Sequence, residues 1–316
     1  MTNTHPYLVL SHYRFYPLEH PEEELELHRN FFANRDVKAR IYFSTQGINC
    51  QMSAATADAE AYMEWMRSRP GFENHHFNLQ GSEEHAFPRL CLKVKSELVA
   101  LDLPFDSSME GDYLAPREWA AYLEKIEQTA STDPEAPMLL DIRNDYEWEV
   151  GHFQGAEKPP CRTFRHFPAY IKKLSERENA HDRPVLISCT GGIRCEVFSS
   201  LLKASGFKRV YQLKGGVINY GNAMGNTRWE GKLFVFDDRM TVPIAESGEP
   251  VSQIGECYFC GCKCDQYFNC ANMECNTLFL SCDKCIYEKK GCCTEECCQA
   301  PRRRPLDSQP LGRPYS

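Results

Sequence analysis

The stretch SCTGGIRCE, residues 188–196, follows the apolar run VLI at residues 185–187 and decides the fold of the central part of the chain. A cysteine that ends a buried strand and precedes two glycines and a helix start lies in a ring of backbone N–H groups. Such a ring stabilises an anion, so we predict a lowered thiol pKa for Cys189 and a capacity to carry a persulfide. The glycines allow the backbone to curl inward.

The members of this loop have separate predicted roles. Cys189 is the predicted nucleophile, and the backbone of four residues forms the anion cradle: Thr190, Gly191, Gly192 and Ile193. We expect Arg194 to lie over the sulfur as an anion ligand, and pairing with Glu147 or Glu149 is the alternative. The six-residue loop from Cys189 to Arg194 is one residue shorter than the Cys-x5-Arg loop of cysteine phosphatases, which favours a sulfur atom over a phosphate. A buried cysteine without chemistry is the competing interpretation.

Residues near the loop receive supporting roles. Cys195 is a candidate resolving thiol, although its place at a helix start could direct the side chain elsewhere. Asp141 ends a predicted strand and is expected to orient Arg143 or the loop amides, with a simple strand cap as the alternative. His152 is expected to be structural.

Short apolar runs alternate with helical segments through residues 131–245. The runs Met138–Ile142, Val185–Cys189 and Val210–Leu213 are typical of buried parallel strands. Helices are predicted at Thr163–Ser175 and Cys195–Ser205. This order predicts an α/β domain with a parallel sheet.

The first 103 residues show a β-α-β-β-α-β order, which predicts a ferredoxin-like α+β domain. The predicted elements are strand Tyr7–Phe15, helix Pro21–Ala33, strands Val37–Ser44 and Cys50–Ser53, helix Thr56–Ser68 and strand Leu90–Val99. Residues 104–130 are predicted to be a linker, Pro104–Asp112, followed by a helix, Pro116–Thr129.

Twelve of the seventeen cysteines lie between Cys257 and Cys298, which predicts a zinc-binding module at residues 251–300. They form four pairs: Cys257 and Cys260, Cys270 and Cys275, Cys282 and Cys285, and Cys293 and Cys297. Tetrahedral zinc takes four thiolates, so we expect about two structural ions, paired either cross-braced or sequentially. Extra or substitute ligands are Cys262, Cys264, Cys292 and Cys298. Unliganded cysteines and an iron–sulfur cluster are the alternatives.

Composition limits the classes of function. The net charge of −8 gives no global basic field, so any RNA contact must be local. Candidates are the charges of Lys284, Lys289, Lys290 and Arg302–Arg304 and the rings of Tyr258, Phe259, Tyr267 and Phe268. No apolar run approaches eighteen residues and no signal peptide is evident, so we expect a soluble, cytoplasmic protein without a membrane partner. Residues 301–316 are polar and Pro-rich and are predicted to be a disordered tail.

Four further motifs accompany the loop: LLDIRNDYEWEVGHFQGA at 139–156, YQLKGGVINYG at 211–221, GKLFVFDDRM at 231–240 and QGIN at 46–49. Together they resemble the rhodanese-like tRNA uridine-34 hydroxylase family. The last motif usually begins with Glu in that family, where this chain has Gln46.

The resemblance implies an acylphosphatase-like N-terminal domain and a rhodanese domain. It also implies oxygen-dependent conversion of the wobble uridine of tRNA, in the anticodon stem-loop, to 5-hydroxyuridine, with Cys189 as the persulfide-type residue. A sulfurtransferase using the same cysteine and a zinc-organised scaffold are the alternatives. No flavin or nicotinamide motif is present, so the sequence does not indicate what activates O2.

Overall fold

The N-terminal part of the chain is built on one five-stranded sheet in the order β4-β1-β3-β2-β5. This computed structural model describes residues 5–101, 106, 109–129, 133, 136–245 and 251–305. The first elements are β1 (Tyr7–Phe15), α1 (Pro21–Phe32), β2 (Val37–Ser44), β3 (Gly47–Ala55), α2 (Thr56–Arg67), β4 (Asn78–Ser82) and β5 (Leu90–Val94). Both helices pack against the sheet and close an apolar core. The predicted ferredoxin-like fold is present.

The fourth strand of this domain is not the predicted one. Residues 78–82, which the prediction left unassigned, form β4 and pair antiparallel with β1. The predicted strand Leu90–Val99 is shorter, ends at Val94 and pairs parallel with β2 at the opposite edge. The sequence NLQGS has neither β-branched residues nor apolar alternation, so it carried no strand signal.

The central part is organised around a four-stranded parallel sheet in the order β6-β10-β9-β7. Its elements are β6 (Asp112–Leu114), α3 (Pro116–Gln128), β7 (Met138–Asp141), α4 (Asp145–Glu149), β8 (Gly151–Phe153), a 3-10 turn (Phe164–His166), α5 (Phe167–Ser175), β9 (Val185–Ser188), α6 (Ile193–Ala204), β10 (Val210–Leu213), α7 (Gly216–Met224), β11 (Trp229–Gly231), β12 (Leu233–Phe234) and β13 (Thr241–Val242). Apolar residues fill both faces of the sheet, as the uninterrupted apolar runs predicted.

The segment predicted as a linker and a separate helix belongs to this sheet. β6 pairs parallel with β10, and α3 buries Trp119 completely in the same core. The sequence predicts helix α3 correctly, whereas the edge strand β6 has only three residues and is too short to be predicted from a residue pattern. Residues 104, 105, 107 and 108 of the predicted linker lie outside the described residues.

The C-terminal module contains β14 (Tyr267–Asn269), β15 (Leu278–Leu280), α8 (Asp283–Glu288) and α9 (Glu295–Cys298). It shares an apolar cluster with the central domain, in which Tyr267 and Leu280 pack with Val150 and Phe234. The Tyr267 hydroxyl also donates a hydrogen bond to the Tyr146 carbonyl oxygen. The module is therefore joined to the domain that carries the loop.

The prediction of a disordered tail at residues 301–316 is wrong for residues 301–305. Residues 301–305 are described, and the backbone N–H of Arg304 donates to the Ala271 carbonyl at 2.9 Å. The Arg304 guanidinium donates to the Cys270 carbonyl, also at 2.9 Å. The predicted linker Glu246–Pro250 and residues 306–316 lie outside the described residues. In the described ranges, no helix has the length and apolar character needed to cross a bilayer.

Because α3 is part of the central core, Trp119→Ala should destabilise that domain by about 3–5 kcal/mol through loss of apolar contact and cavity formation. Urea unfolding followed by circular dichroism measures the change. The exposed neighbour Arg117 provides the matched control, since Arg117→Ala removes no buried contact. Equal unfolding midpoints for the two variants would show that α3 is only a linker helix.

Candidate active site and metal sites

The loop with Cys189 lies at the carboxyl end of β9, between the ends of β10 and β7. The N-terminus of α7 holds it from one side, because the backbone N–H groups of Val217 and Ile218 donate to the carbonyls of Cys189 and Thr190. Gly192 has φ +104°, and a Cβ there would lie 2.8 Å from the Tyr13 hydroxyl. Glycine is therefore required both for the turn and for the close approach of the N-terminal domain.

The Cys189 sulfur is fully buried and accepts a hydrogen bond from the Gly192 N–H at 3.2 Å. Burial alone raises the pKa of a thiol. Here it is outweighed by the Cys195 thiol, the charge of Arg194 and the backbone N–H groups of Cys195 and Gly192, which together lower the pKa of Cys189 to about 6. The sulfur is therefore mainly a thiolate at neutral pH, which makes it a nucleophile.

Arg194 adopts the pairing that the sequence analysis gave as the alternative. Its Nη1 and Nη2 atoms lie 2.6 and 2.8 Å from the two carboxylate oxygens of Glu147, which is fully buried. Thr190 Oγ1 donates to the same carboxylate at 3.0 Å. The guanidinium hydrogen bonds thus go to Glu147 and Thr190, and Arg194 acts on the sulfur through its charge.

The supporting residues lie close to the loop but do not contact the sulfur, except for Cys195. Asp141 orients Arg143 through a paired hydrogen bond, and Arg143 in turn donates to the Gly151 carbonyl at 2.5 Å. His152 stacks on Trp148 with ring centroids 3.7 Å apart, which is a structural role. Burial and the neighbouring thiolate raise the pKa of Cys195 well above its ordinary value, so its thiol stays protonated.

Sequence reasoning missed the residues that join the N-terminal domain to the loop. Tyr13 in β1 donates to Glu196 Oε1 at 2.9 Å, and the Tyr113 hydroxyl donates to the same oxygen. Burial raises the pKa of Glu196 to about 8. Tyr13 and Glu196 are 183 residues apart, so no local pattern could have revealed the contact.

A cavity of about 1640 Å³ opens over the loop and is lined by all three parts of the chain. Cys189 and Arg194 come from the central domain, Tyr13 and Asn78 from the N-terminal domain, and Tyr258 from the C-terminal module. The Cys189 side chain therefore borders a space large enough for a nucleotide, and each domain supplies part of the wall of that space.

The cysteine pairs come together in the cross-braced arrangement, and the sequential arrangement is not formed. One cluster contains Cys257, Cys260, Cys282 and Cys285, and the other contains Cys270, Cys275, Cys293 and Cys297. Within each cluster all four sulfurs lie within 4.8 Å of one another, so each cluster could hold a metal ion. The four extra cysteines belong to neither cluster: Cys262, Cys264, Cys292 and Cys298.

The sulfur separations agree with tetrahedral coordination. A metal with four sulfur ligands at about 2.3 Å requires sulfurs about 3.8 Å apart. The Cys260 and Cys282 sulfurs are 3.8 Å apart, and Cys293 lies 3.6 Å from Cys275 and 3.9 Å from Cys297. Four thiolates without an open position are typical of a structural rather than a catalytic site.

Three family models match the chain in the order of its three parts. The UPF0176 acylphosphatase-like domain matches residues 7–98, the rhodanese-like domain residues 120–223, and the family described as rhodanase C-terminal residues 230–298. Among solved structures, a rhodanese-like domain from Anabaena sp. is 20% identical with a TM-score of 0.30, and the match covers 46% of this chain and 89% of that one.

Curated relatives align over almost the whole chain. The protein named tRNA uridine(34) hydroxylase from Chlamydia felis (strain Fe/C-56) is 48% identical over 98% of this chain and 92% of its own length. The protein of the same name from Protochlamydia amoebophila (strain UWE25) is 47% identical over 98% of this chain and 93% of its own length. The chain therefore belongs to the family of tRNA uridine(34) hydroxylases.

Proposed function

We propose that this enzyme hydroxylates uridine 34 of tRNA to 5-hydroxyuridine, with Cys189 as the catalytic sulfur and with O2 and an external two-electron donor as co-substrates. One oxygen atom of O2 enters C5 of the uracil, and the other leaves as water with the two electrons of the donor. The observation that carries the proposal is a buried thiolate at the base of a cavity of about 1640 Å³. The name of the relatives that align over 98% of the chain supports the substrate and the reaction. The cysteine supplies a nucleophile or, once loaded with sulfur, a persulfide.

The anticodon stem-loop is the substrate region that fits the cavity. Cys189 is fully buried, so the target base must leave its stack and enter the cavity, and bases of single-stranded loops can do so at low cost. Arg40, Lys95 and Arg162 line the cavity and can contact phosphates. Tyr258, whose side chain is 63% exposed at the cavity, offers a ring on which a neighbouring base can stack.

Sulfur transfer is the second candidate function, because the same thiolate could accept sulfane sulfur. The observation that favours it is that the backbone N–H groups of Gly192 and Cys195 donate to the Cys189 sulfur, which suits a persulfide. Of the four residues predicted to form the anion cradle, Gly192 is the one whose N–H donates to the sulfur. Hydroxylation and sulfur transfer differ in the acceptor, and nucleoside analysis of tRNA separates them.

We propose that each cysteine cluster binds one Zn²⁺ ion with a structural role. The all-sulfur ligand set and the sulfur separations support zinc. The ions would hold β14, β15 and the short helices together and so position Tyr258 at the cavity. We also place the protein in the cytoplasm, where a reducing medium keeps such thiolates available for metal.

Cys189→Ser should abolish 5-hydroxyuridine formation, because an alcohol of nearly the same volume stays protonated in the cradle. Cells that lack the protein should have less 5-hydroxyuridine at position 34, and the wild-type gene, but not the Cys189→Ser variant, should restore it. Mass spectrometry of tRNA nucleosides measures this. Normal levels with the serine variant would refute the role of Cys189, and 2-thiouridine as the product would favour sulfur transfer.

Iodoacetamide should label Cys189 first among the thiols. With a pKa of about 6, half of Cys189 is thiolate at pH 6, so its labelling rate should level off above pH 7 and fall as the pH drops below 6. Cys50 is an internal control, since burial raises its pKa to about 12. Peptide mapping of protein labelled at pH 6.5 gives the order. A rate that keeps rising above pH 8 would contradict the lowered pKa.

Purified protein should contain about two zinc ions per chain. Cys297→Ser should lose close to one ion, whereas Cys298→Ser should keep both, because Cys298 belongs to neither cluster although it is the next residue. Elemental analysis of the two variants provides the comparison. Equal zinc loss in both, or iron with acid-labile sulfide, would overturn the proposed sites.

A further inference from the structure

The side-chain donors around Cys189 are almost all engaged within the protein. Tyr13 donates to Glu196, Thr190 and Arg194 donate to Glu147, and both ring nitrogens of His12 are bonded, to His75 and Tyr62. A base that enters the cavity therefore cannot be read by these groups without breaking existing hydrogen bonds.

Asn78 is different. It lies at the start of β4, lines the cavity together with Cys189 and is only 6% exposed. Its Oδ1 lies 3.0 Å from His76 Nε2, which donates to it in the tautomer that carries the proton on Nε2. The Nδ2 group has no hydrogen-bond partner among the described residues and points to the loop, 3.8 Å from where a Cβ on Gly191 would lie. A donor on a largely buried side chain thus lies next to the loop that carries the catalytic sulfur.

We propose that the Asn78 amide donates to O4 of the target uracil and selects uracil over cytosine. The inference rests on the proposed function and names a specificity residue for it. C5 of uracil, the atom to be hydroxylated, is bonded to C4, which carries O4, whereas O2 lies across the ring. A donor close to the sulfur therefore meets O4 when C5 faces the sulfur.

Cytosine carries an amino group at C4 in place of the carbonyl. Two donors would then face each other, and the Asn78 amide could turn over and keep the bond to His76 only if the imidazole proton moved from Nε2 to Nδ1. A buried donor left unpaired is unfavourable, and the site should discriminate against cytosine by about tenfold. Gly191 contributes by leaving the space next to Nδ2 open.

The test uses two anticodon stem-loop hairpins that differ only in uridine or cytidine at position 34. Their affinities are measured for full-length protein with Cys189→Ser, which prevents turnover. This protein should prefer the uridine hairpin by about tenfold, and adding Asn78→Ala should remove the preference. Asn78→Asp, which presents an acceptor of the same shape, should reverse it. With Cys189 intact, Asn78→Ala should also slow hydroxylation of the uridine hairpin by about tenfold.

Asn222→Ala is the matched control. Asn222 Nδ2 donates to the Leu79 carbonyl at 3.0 Å, so this variant loosens the same strand without touching the cavity lining. A uridine preference that survives in Asn78→Ala, or one that Asn222→Ala removes equally, would overturn the proposal. Slower iodoacetamide labelling of Cys189 in Asn78→Ala would also overturn the proposal, because it would show that Asn78 supports the structure of the loop. The binding comparison remains decisive even if the wild-type protein does not hydroxylate uridine.

Discussion

The structure depends on keeping one sulfur anionic although its side chain is fully buried. Burial disfavours a thiolate, and at Cys189 that cost is offset by groups that converge on the sulfur: loop N–H groups, the Cys195 thiol and the charge of Arg194. Arg194 is itself buried, and Glu147 holds it in a bidentate pair. Without Glu147, the positive charge of Arg194 would be buried with no negative partner. The thiolate of Cys189 is therefore stabilised by residues from α4, the loop and α6.

The other two domains complete the site around that sulfur. Tyr13 of the N-terminal domain packs on Gly192 and holds Glu196 in the first turn of α6. The C-terminal module shares an apolar cluster with the central domain and brings Tyr258 to the cavity. All three parts of the chain therefore contribute to the wall of the cavity that Cys189 lines.

The features that could be predicted from the sequence are those that depend on a local pattern of residues. Apolar runs located β7, β9 and β10, and the Gly-Gly turn located the nucleophile loop. The features that the sequence did not predict depend on contacts between distant residues. β4 has a polar sequence and is recognised by its pairing with β1, and Glu147, the partner of Arg194, lies 47 residues away. The cross-braced and the sequential pairing of the cysteines have the same spacing in the sequence. Asn78 belongs to no sequence motif, and only the fold shows that its amide lies beside the loop.

The central claim is that the Cys189 sulfur supports oxygen-dependent hydroxylation of uridine in tRNA. The most direct test incubates the purified protein with tRNA and a two-electron reductant under ¹⁸O2 and determines the mass of the nucleoside at position 34. We expect 5-hydroxyuridine that carries ¹⁸O with the wild-type protein and none with Cys189→Ser. A product whose oxygen comes from water, or equal product from the serine variant, would contradict it.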